Sequence, residues 1–438
     1  MIEGDSTYAL QLDPSQNFSG TQFVLTPDGG SGTDVTMVDV VSVTSGITET
    51  VYSGQVDYNV LILSGGAQNV FGVASATTID TSGHQYVGSG GTATNTVMYS
   101  SASQFVDSGG TDIGAQISAG ALQIVLGEAS NDWVAGGIQF VEDSGTAVST
   151  LVTDSGQQVV YAFALSTTVN GFVGGATQTV FSGGTASATT LLNGGYENIA
   201  AGGTDIGAQI SNSVQDVYGL ASAARVETLG TQNVWSGATA SNTTIYFLGT
   251  EYVDIGGTDI DATLSGGFQD VLGVAGGATI SGGEQDVYNL ADNTTIFAGS
   301  EVVEAGGTTS GTTLNGGREI VSSSGFADAT AISGGTLEIA SGGSAGAIRF
   351  GDTGILQLDS PMAFDGTISG FWLGDGIDLQ SLGVTSGATT VSWTQLTSGA
   401  DASGTLSVSS GAAVETLTLL GQYLGGTLAR LRTAMVEH

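Results

Sequence analysis

The chain has 438 residues, of which 41 are acidic and five are arginine, with no lysine and a formal net charge of −36. This charge excludes nucleic acid and anionic membranes as partners, because both are bound by clustered Lys and Arg side chains. Cysteine is absent, which excludes disulfides and thiolate metal sites, and no segment approaches the roughly 20 apolar residues of a membrane-spanning helix.

The first 50 residues are not repetitive. Alternating apolar residues predict strands at 8–13 and 22–25, so residues 1–50 are expected to form an amino-terminal β cap or the trailing coil of a preceding module. Residues 1–5 contain neither a basic segment nor an apolar one, and the sequence therefore predicts no cleavable signal peptide.

Residues 51–349 contain a Gly-rich unit built on Gln-x-Val that recurs about every 16 to 20 residues. A fixed short period of this kind is typical of a solenoid, in which each repeat forms one coil. The units begin at Gln68, Gln85, Gln104, Gln123, Gln139, Gln158, Gln178, Glu197, Gln215, Gln232, Glu251, Gln269, Gln285, Glu301, Glu319 and, more loosely, Glu338.

One well-formed unit, residues 174–195, shows how a coil is built. Gln178 and Val180 alternate in one short stretch, Ala186 and Ala188 in the next, and Gly-Gly pairs bound both stretches. Short strands between glycine corners bury no face alone, but stacked coil on coil they form parallel sheets. We therefore predict an all-β fold, a parallel β-helix (β-solenoid) of about 16 coils with non-repetitive terminal caps.

The column of Gln and Glu that starts each unit has two interpretations. The side chains either form a ladder, in which each bonds its neighbour in the next coil, or present a binding stripe on the surface. The ladder is the favoured interpretation. Val180 and Val234 represent a neighbouring column that we expect to point inward, with Ile117 and Ile210 on a second inward face.

A longer duplication overlies the short period. The segment Gly-Gly-Thr-Asp-Ile-Gly-Ala-Gln-Ile-Ser occurs at 109–118 and again at 202–211, and a related segment spans 256–265. The offsets of 93 and 54 residues correspond to about five and three coils, which indicates duplication of whole blocks of coils.

The regular pattern fades near residue 345, and residues 350–438 are predicted to form a carboxy-terminal β cap with a short terminal helix. Residues 371–379 open a more aromatic region, and residues 405–408 and 415–419 alternate like strands. Such a segment closes the end of a solenoid, a role that terminal repeats take. The helix is predicted at 424–438, where Leu residues recur on one side.

The unit Gln-x-Val-x-x-Gly-Gly-x-Ala-x-x-Thr-x-(Ile/Leu)-x-x-Gly-Gly, which residues 178–195 carry nearly whole, resembles the AIDA-type repeat of bacterial autotransporter adhesins and related large secreted proteins. The resemblance covers roughly residues 50–345. It implies a parallel β-helix at the cell surface or in the matrix of a Gram-negative bacterium, engaged in adhesion, self-association and biofilm formation.

Two acidic pairs are weak candidates for calcium, Asp375 with Asp378 and Asp259 with Asp261. Carboxylates in glycine-rich turns are the ligands of calcium-binding repeats, but those repeats need Gly-Gly-x-Gly-x-Asp in tandem. Only the segment 374–378 approaches that pattern, and it does so once. The alternative is an Asp that bonds its own turn backbone, and no other cofactor or metal is predicted.

An enzyme is the competing hypothesis, because β-helices also host polysaccharide lyases and hydrolases. A hydrolase needs two paired carboxylates, which stacking could supply by accident at Glu301 and Glu319. His84 and His438 do not form a metal cluster, and the basic residue that a lyase needs is scarce. We therefore predict a non-enzymatic extracellular protein that binds other copies of itself, end to end or laterally, or cell-surface glycans. The alternative is a β-helix that binds or degrades polysaccharide.

Overall fold

The computed structural model describes residues 2–3, 6–7, 21–27, 32–39, 41–360, 364–383, 389–399 and 402–423. Every helix or strand element among them is a β-strand. The chain divides into two compact units, Met1–Asp132 and Trp133–His438. The strand predicted at 8–13 and the helix predicted at 424–438 lie outside the described residues.

A coil consists of three short strands, as Thr177–Val180, Thr185–Ser187 and Thr190–Leu192 show. Side chains alternate between the interior and the solvent along each strand, and every strand pairs in parallel with the same strand of the next coil. In this coil Gln178 and Leu191 are buried completely. The prediction of an all-β parallel β-solenoid is confirmed.

The first strand of each coil carries the Gln or Glu column. In the first unit these strands are Thr48–Val51, Ala67–Val70, His84–Val87, Ser103–Val106 and Leu122–Val125. In the second unit they are Ile138–Val141, Gln157–Val160, Thr177–Val180, Tyr196–Ile199, Val214–Val217, Thr231–Val234, Thr250–Val253, Ser300–Val303, Ile355–Leu358 and Gly376–Leu379, together with the second halves of Thr263–Val271, Thr279–Val287, Thr313–Val321 and Thr330–Ile339.

The second strand has a small residue, usually Ala, as its buried centre. In the first unit these strands are Val56–Tyr58, Val73–Ser75, Thr92–Thr94, Thr111–Ile113 and Glu128–Ser130. In the second unit they are Thr146–Val148, Phe163–Leu165, Thr185–Ser187, Thr204–Ile206, Leu220–Ser222, Thr239–Ser241, Thr258–Ile260, Val274–Gly276, Leu290–Asp292, Thr308–Ser310, Phe326–Asp328 and Ser344–Ala345.

The third strand buries an Ile, Leu, Val or Met. In the first unit these strands are Ser42–Val43, Leu61–Ile62, Thr78–Ile79, Val97–Met98 and Gln116–Ser118. In the second unit they are Trp133–Ala135, Leu151–Thr153, Thr168–Asn170, Thr190–Leu192, Gln209–Ser211, Arg225–Val226, Thr244–Tyr246, Thr295–Ile296, Ala347–Phe350 and Thr367–Ser369, together with the first halves of the four long strands named above.

The solenoid has about 19 turns, against the 16 predicted. The additional turns carry Glu49 before the predicted array, and Leu356 and Ile377 after it, at the position of the Gln column. The prediction for Glu338 is wrong, because Leu337 lies opposite Glu319 and Glu338 lies opposite the outward Ile320. The late turns lack the Gln-x-Val pattern because their column residue is apolar.

The Gln column is an interior ladder, as predicted. In the first unit the amide nitrogen Nε2 of Gln85 donates to Oε1 of Gln68 at 2.8 Å, and Gln104 donates in the same way to Gln85 at 2.8 Å. In the second unit Gln178 donates to Gln158 at 2.6 Å. Each amide thus donates to the preceding coil, so the ladder has one direction, and the binding-stripe interpretation is wrong because these side chains are buried.

Antiparallel strands lie near both ends of the chain. Ile2–Glu3 pairs with Ser6–Thr7, and Thr21–Pro27 with Thr33–Asp39. At the other end Thr389–Thr397, Ser403–Ser410 and Ala413–Leu420 form an antiparallel meander. Its last strand continues the solenoid by pairing in parallel with Thr367–Ser369. No helix among the described residues is long and apolar enough to cross a membrane.

Candidate adhesion surface

The outer face of the first strands carries a column of aromatic rings in the second unit, interrupted at Ala200 between Phe181 and Tyr218. The residue after each buried Val or Ile points outward, and in-register pairing brings successive ones into line. Tyr161 and Phe181 stack with ring centroids 4.8 Å apart, and Tyr218 and Trp235 stack at 5.7 Å with planes 5° apart. Reasoning from the sequence missed this column, although aromatic residues recur one position after the Val at the spacing of the coils.

Polar side chains beside Trp235 form one hydrogen-bonded network around Asp216. The hydroxyl of Tyr196 donates to Asp216 Oδ2 at 2.6 Å. Asn233 Nδ2 and Trp235 Nε1 donate to Oδ1 at 2.7 and 3.2 Å. Burial, together with the bond to Asp216, raises the pKa of Tyr196 above its usual value, so the hydroxyl remains a donor. These four residues and Tyr218 are called the aromatic patch.

An open sheet edge lies at the carboxy-terminal end of the described chain. The nine-residue strand Thr389–Thr397 pairs with Ser403–Ser410 on one side, and the described residues place no strand on its other side. None of its side chains is buried, and Leu396 is 65% exposed. This strand is called the open edge strand.

The hairpin Thr21–Pro27 with Thr33–Asp39 is a two-stranded sheet of its own among the described residues. Val35 and Met37 on its second strand are 37% and 50% exposed. A two-stranded hairpin is only marginally stable alone in water. It therefore has free edges and apolar side chains for a further strand to cover.

The calcium candidates fall at separate places. Asp259 is buried and accepts a hydrogen bond from Gln269 Nε2 at 2.9 Å, whereas Asp261 is a left-handed turn residue with φ of 59°. Asp375 accepts from the backbone N–H of Trp372 at 2.6 Å, and Asp378 from Gln380 Nε2 at 2.7 Å. Among the residues that the structure describes, no group of three or more His, Asp or Glu is placed to hold a metal ion.

The stacked carboxyls Glu301 and Glu319 do lie opposite each other, as the sequence suggested. Both side chains are completely buried, so the pair faces the solenoid interior and no solvent-filled cleft. Burial is the main cause that raises the pKa of Glu301, and the charge of the nearby Glu319 is the second cause. The threonines Thr309 and Thr330 donate to both oxygens of Glu319, at 2.7 and 3.0 Å.

No family model matches the chain, and none of the curated proteins does. Among solved structures, the chain is similar to the TibC-catalyzed hyper-glycosylated TibA55-350 fragment. Identity is 28% and the TM-score 0.52, over 70% of this chain and 98% of the fragment. The repeat array is of the AIDA type, similar to an autotransporter passenger. TibA is an adhesin, and this similarity of the AIDA-type array supports a surface adhesin-like role.

A second structure, the receptor-binding protein of bacteriophage Det7, is a podoviral tailspike in a myovirus. It aligns at 10% identity and a TM-score of 0.15, over 86% of this chain and 83% of the tailspike. A score this low carries no argument about the AIDA-type array.

Proposed function

We propose that the chain is a non-enzymatic adhesive protein at the bacterial cell surface or in the extracellular matrix, and that its copies associate end to end. The open edge strand is the observation that carries this proposal. A long, exposed strand with no described neighbour on one side accepts a strand from another molecule through its backbone N–H and C=O groups. The hairpin near the amino terminus of a second copy is the proposed partner strand, because it has free edges and exposed apolar side chains.

The contact is heterologous, since the open edge strand of one copy meets the hairpin of the next. Heterologous contacts that do not close into a ring generate filaments. A filament of AIDA-type coils would act both in adhesion and in matrix formation. The edge strand is rich in Ser and Thr, whose hydroxyl groups hydrogen-bond to water and keep the strand soluble before another copy binds.

The test is the mass of the purified chain by light scattering and sedimentation over a range of concentrations. Leu396→Lys places a charge on the open edge strand and should abolish the concentration-dependent increase in mass. Leu373→Lys is the matched control, because Leu373 is 93% exposed and lies outside any strand. A wild-type chain that stays monomeric at high concentration and physiological salt would contradict the proposal.

A mixture of two variants tests the heterologous geometry. Leu396→Lys blocks the edge strand and leaves the hairpin intact, whereas Met37→Lys blocks the hairpin and leaves the edge strand intact. Each variant alone should be monomeric, and an equimolar mixture should form dimers but nothing larger. If Met37→Lys alone formed dimers, the edge strands would pair with each other and the proposed contact would be wrong.

Binding of neutral glycans is a second candidate function, and the aromatic patch favours it. Aromatic rings bury the C–H faces of a sugar, and the Asp216 network offers acceptors and donors to sugar hydroxyls. The charge of −36 selects against acidic glycans. Trp235→Ala should abolish binding to immobilised neutral hexose oligomers, whereas Trp372→Ala, which removes an exposed Trp outside the patch, should not. Equal loss in both variants, or none in either, would reject the patch as the site.

A further inference from the structure

The interior ladder is interrupted wherever Glu replaces Gln. A ladder amide accepts at Oε1 and donates from Nε2 to the preceding coil, as Gln178 does to Gln158. Glu197, Glu251 and Glu301 occupy the same column, directly opposite Gln178, Gln232 and Gln285 of the preceding coils. An ionised carboxylate has no hydrogen to donate, so each Glu would leave the preceding amide oxygen without its ladder bond.

Each of these three Glu side chains has one buried oxygen without a hydrogen-bond partner, and in each it is Oε1. The other oxygen does accept: Glu197 Oε2 from Gln215 at 2.7 Å, and Glu251 Oε2 from Gln269 at 2.6 Å. Each Glu thus accepts from the following coil or its own coil in the manner of a Gln, and lacks only the donated bond.

We propose that Glu197, Glu251 and Glu301 are neutral carboxylic acids in the folded protein, each donating its O–H to the Gln of the preceding coil. The acid O–H then takes the place of the amide N–H, and the ladder continues through the Glu positions. The orphaned Oε1 is the protonated oxygen. A free carboxylate in this core would be desolvated with no cation to compensate it.

The groups that face these side chains are consistent with neutral acids. Glu197 faces Asp205 and Glu251 faces Asp259 from the second strand of the same coil, and Glu301 faces Glu319. The remaining polar neighbours are ladder Gln residues and the buried threonines Thr189, Thr243, Thr294 and Thr312. None of these neighbours is basic. Burial first, and then the facing carboxyl, raises the pKa of all three Glu residues.

Glu319 differs from these three in its hydrogen-bond partners. Thr309 and Thr330 occupy both of its oxygens, and the next column residue, Leu337, offers no amide. Burial raises the pKa of Glu319, whereas the hydroxyl donors lower it and so favour the charged form. The ladder therefore ends at Glu319, whose two carboxyl oxygens already accept hydrogen bonds.

The consequence is a solenoid whose folding takes up protons, so its coils loosen as the medium becomes alkaline. The property goes beyond adhesion, because it would regulate the scaffold whatever the scaffold binds. Acid surroundings would favour the packed array, and alkaline surroundings would weaken the coils around residues 197, 251 and 301. Failure of the adhesion proposal would leave this inference untouched, since no outer residue takes part.

The test compares the full chain with the triple variant Glu197→Gln, Glu251→Gln, Glu301→Gln. At neutral pH the infrared spectrum of the wild type should show the C=O band of protonated carboxylic acids. The band should be weaker in the triple variant, which keeps other buried acids such as Asp132. The urea unfolding midpoint of the triple variant should lie above that of the wild type at pH 9 and close to it at pH 5. The matched control is Glu128→Gln, Glu142→Gln, Glu304→Gln, which removes three outward-facing carboxyls.

The control should keep the infrared band and should show the pH dependence of the wild type. An absent band in the wild type at neutral pH would overturn the proposal. The proposal would also fail if the control variant matched the triple variant in both measurements, because general relief of charge repulsion would then explain the effect. The Glu→Gln change keeps the size and shape of the side chain, so a folding failure of the triple variant would also contradict the proposed role.

Discussion

At the scale of single residues, the interior of most coils holds one polar group opposite the ladder at one of two positions. In ordinary coils this group is a Thr three residues after a buried Ala, as in Ala240 and Thr243, whose hydroxyl donates to Gln232 at 3.0 Å. In the Gly-Gly-Thr-Asp-Ile coils, Asp takes the place of the buried Ala, and Ala takes the place of the Thr, as in Asp259 and Ala262. Replacing the Ala and Thr pair by an Asp and Ala pair keeps the interior of the coil close-packed. This explains why Asp and Ala occur together in the repeated segment at 109–118 and 202–211.

The exchange predicts coupled effects at Asp259 and Ala262. Ala262→Thr alone adds volume beside the buried carboxyl and should lower the free energy of unfolding by about 1–3 kcal/mol. With Asp259→Ala in the same chain the Ala-x-x-Thr coil is restored, so the double variant should be more stable than the single Thr variant. Chemical denaturation of both single variants and the double variant measures the coupling. Additive effects would show that the two positions do not share one interior space.

At the scale of elements, the two glycines of the Gly306-Gly307 corner have different structural roles. Gly306 has φ of +89° and open space where a Cβ would lie. A Cβ on Gly307, by contrast, would lie 2.0 Å from the backbone oxygen of Val287 in the preceding coil. At this corner only the first glycine has a positive φ. The second glycine allows one coil to approach the next.

Alanine substitutions should separate the two roles. Gly306→Ala should cost about 1 kcal/mol, the strain of a left-handed Ala. Gly307→Ala forces the coils apart and should cost several times more. Urea midpoints of the two variants give the comparison, and each is the natural control for the other. Equal costs would contradict the separate roles.

The sequence predicts the repeating elements better than it predicts the surface and the ends. Gln178 and Val180 recur in register, so their strands, their inward direction and the ladder follow from the period alone. Leu356 and Ile377 occupy the same column without the full motif, because an apolar residue ends the ladder without leaving a donor unpaired. The stacking of Tyr218 on Trp235 depends on residues 17 positions apart in adjacent coils, which no local pattern shows.

At the scale of the whole molecule, buried carboxyls link stability to pH. Burial is the largest cause of the raised pKa of Asp259, to about 7 from 3.8, and of Glu301, to about 8 from 4.5. Between the unfolded and folded pKa values the folded chain binds more protons than the unfolded chain. This contribution to stability is therefore full below the unfolded values and is lost as the pH rises through about 7 and 8.

The free energy of unfolding should accordingly fall between pH 5 and pH 9, by about 1.4 kcal/mol for each unit by which a pKa is raised. Repulsion within a chain of charge −36 acts in the same direction, but salt screens exposed charges far more than buried ones. Denaturation curves at low and high NaCl separate the two causes. The fall should persist in high salt, and its disappearance there would assign it to the surface.

The central claim is that this AIDA-type solenoid is an adhesive scaffold that joins to itself through its ends. Electron micrographs of the purified chain at physiological salt test it most directly. We expect single-file filaments from the wild type and from Leu373→Lys, and separate particles from Leu396→Lys. Separate particles in all three samples, or filaments that persist in Leu396→Lys, would contradict the account.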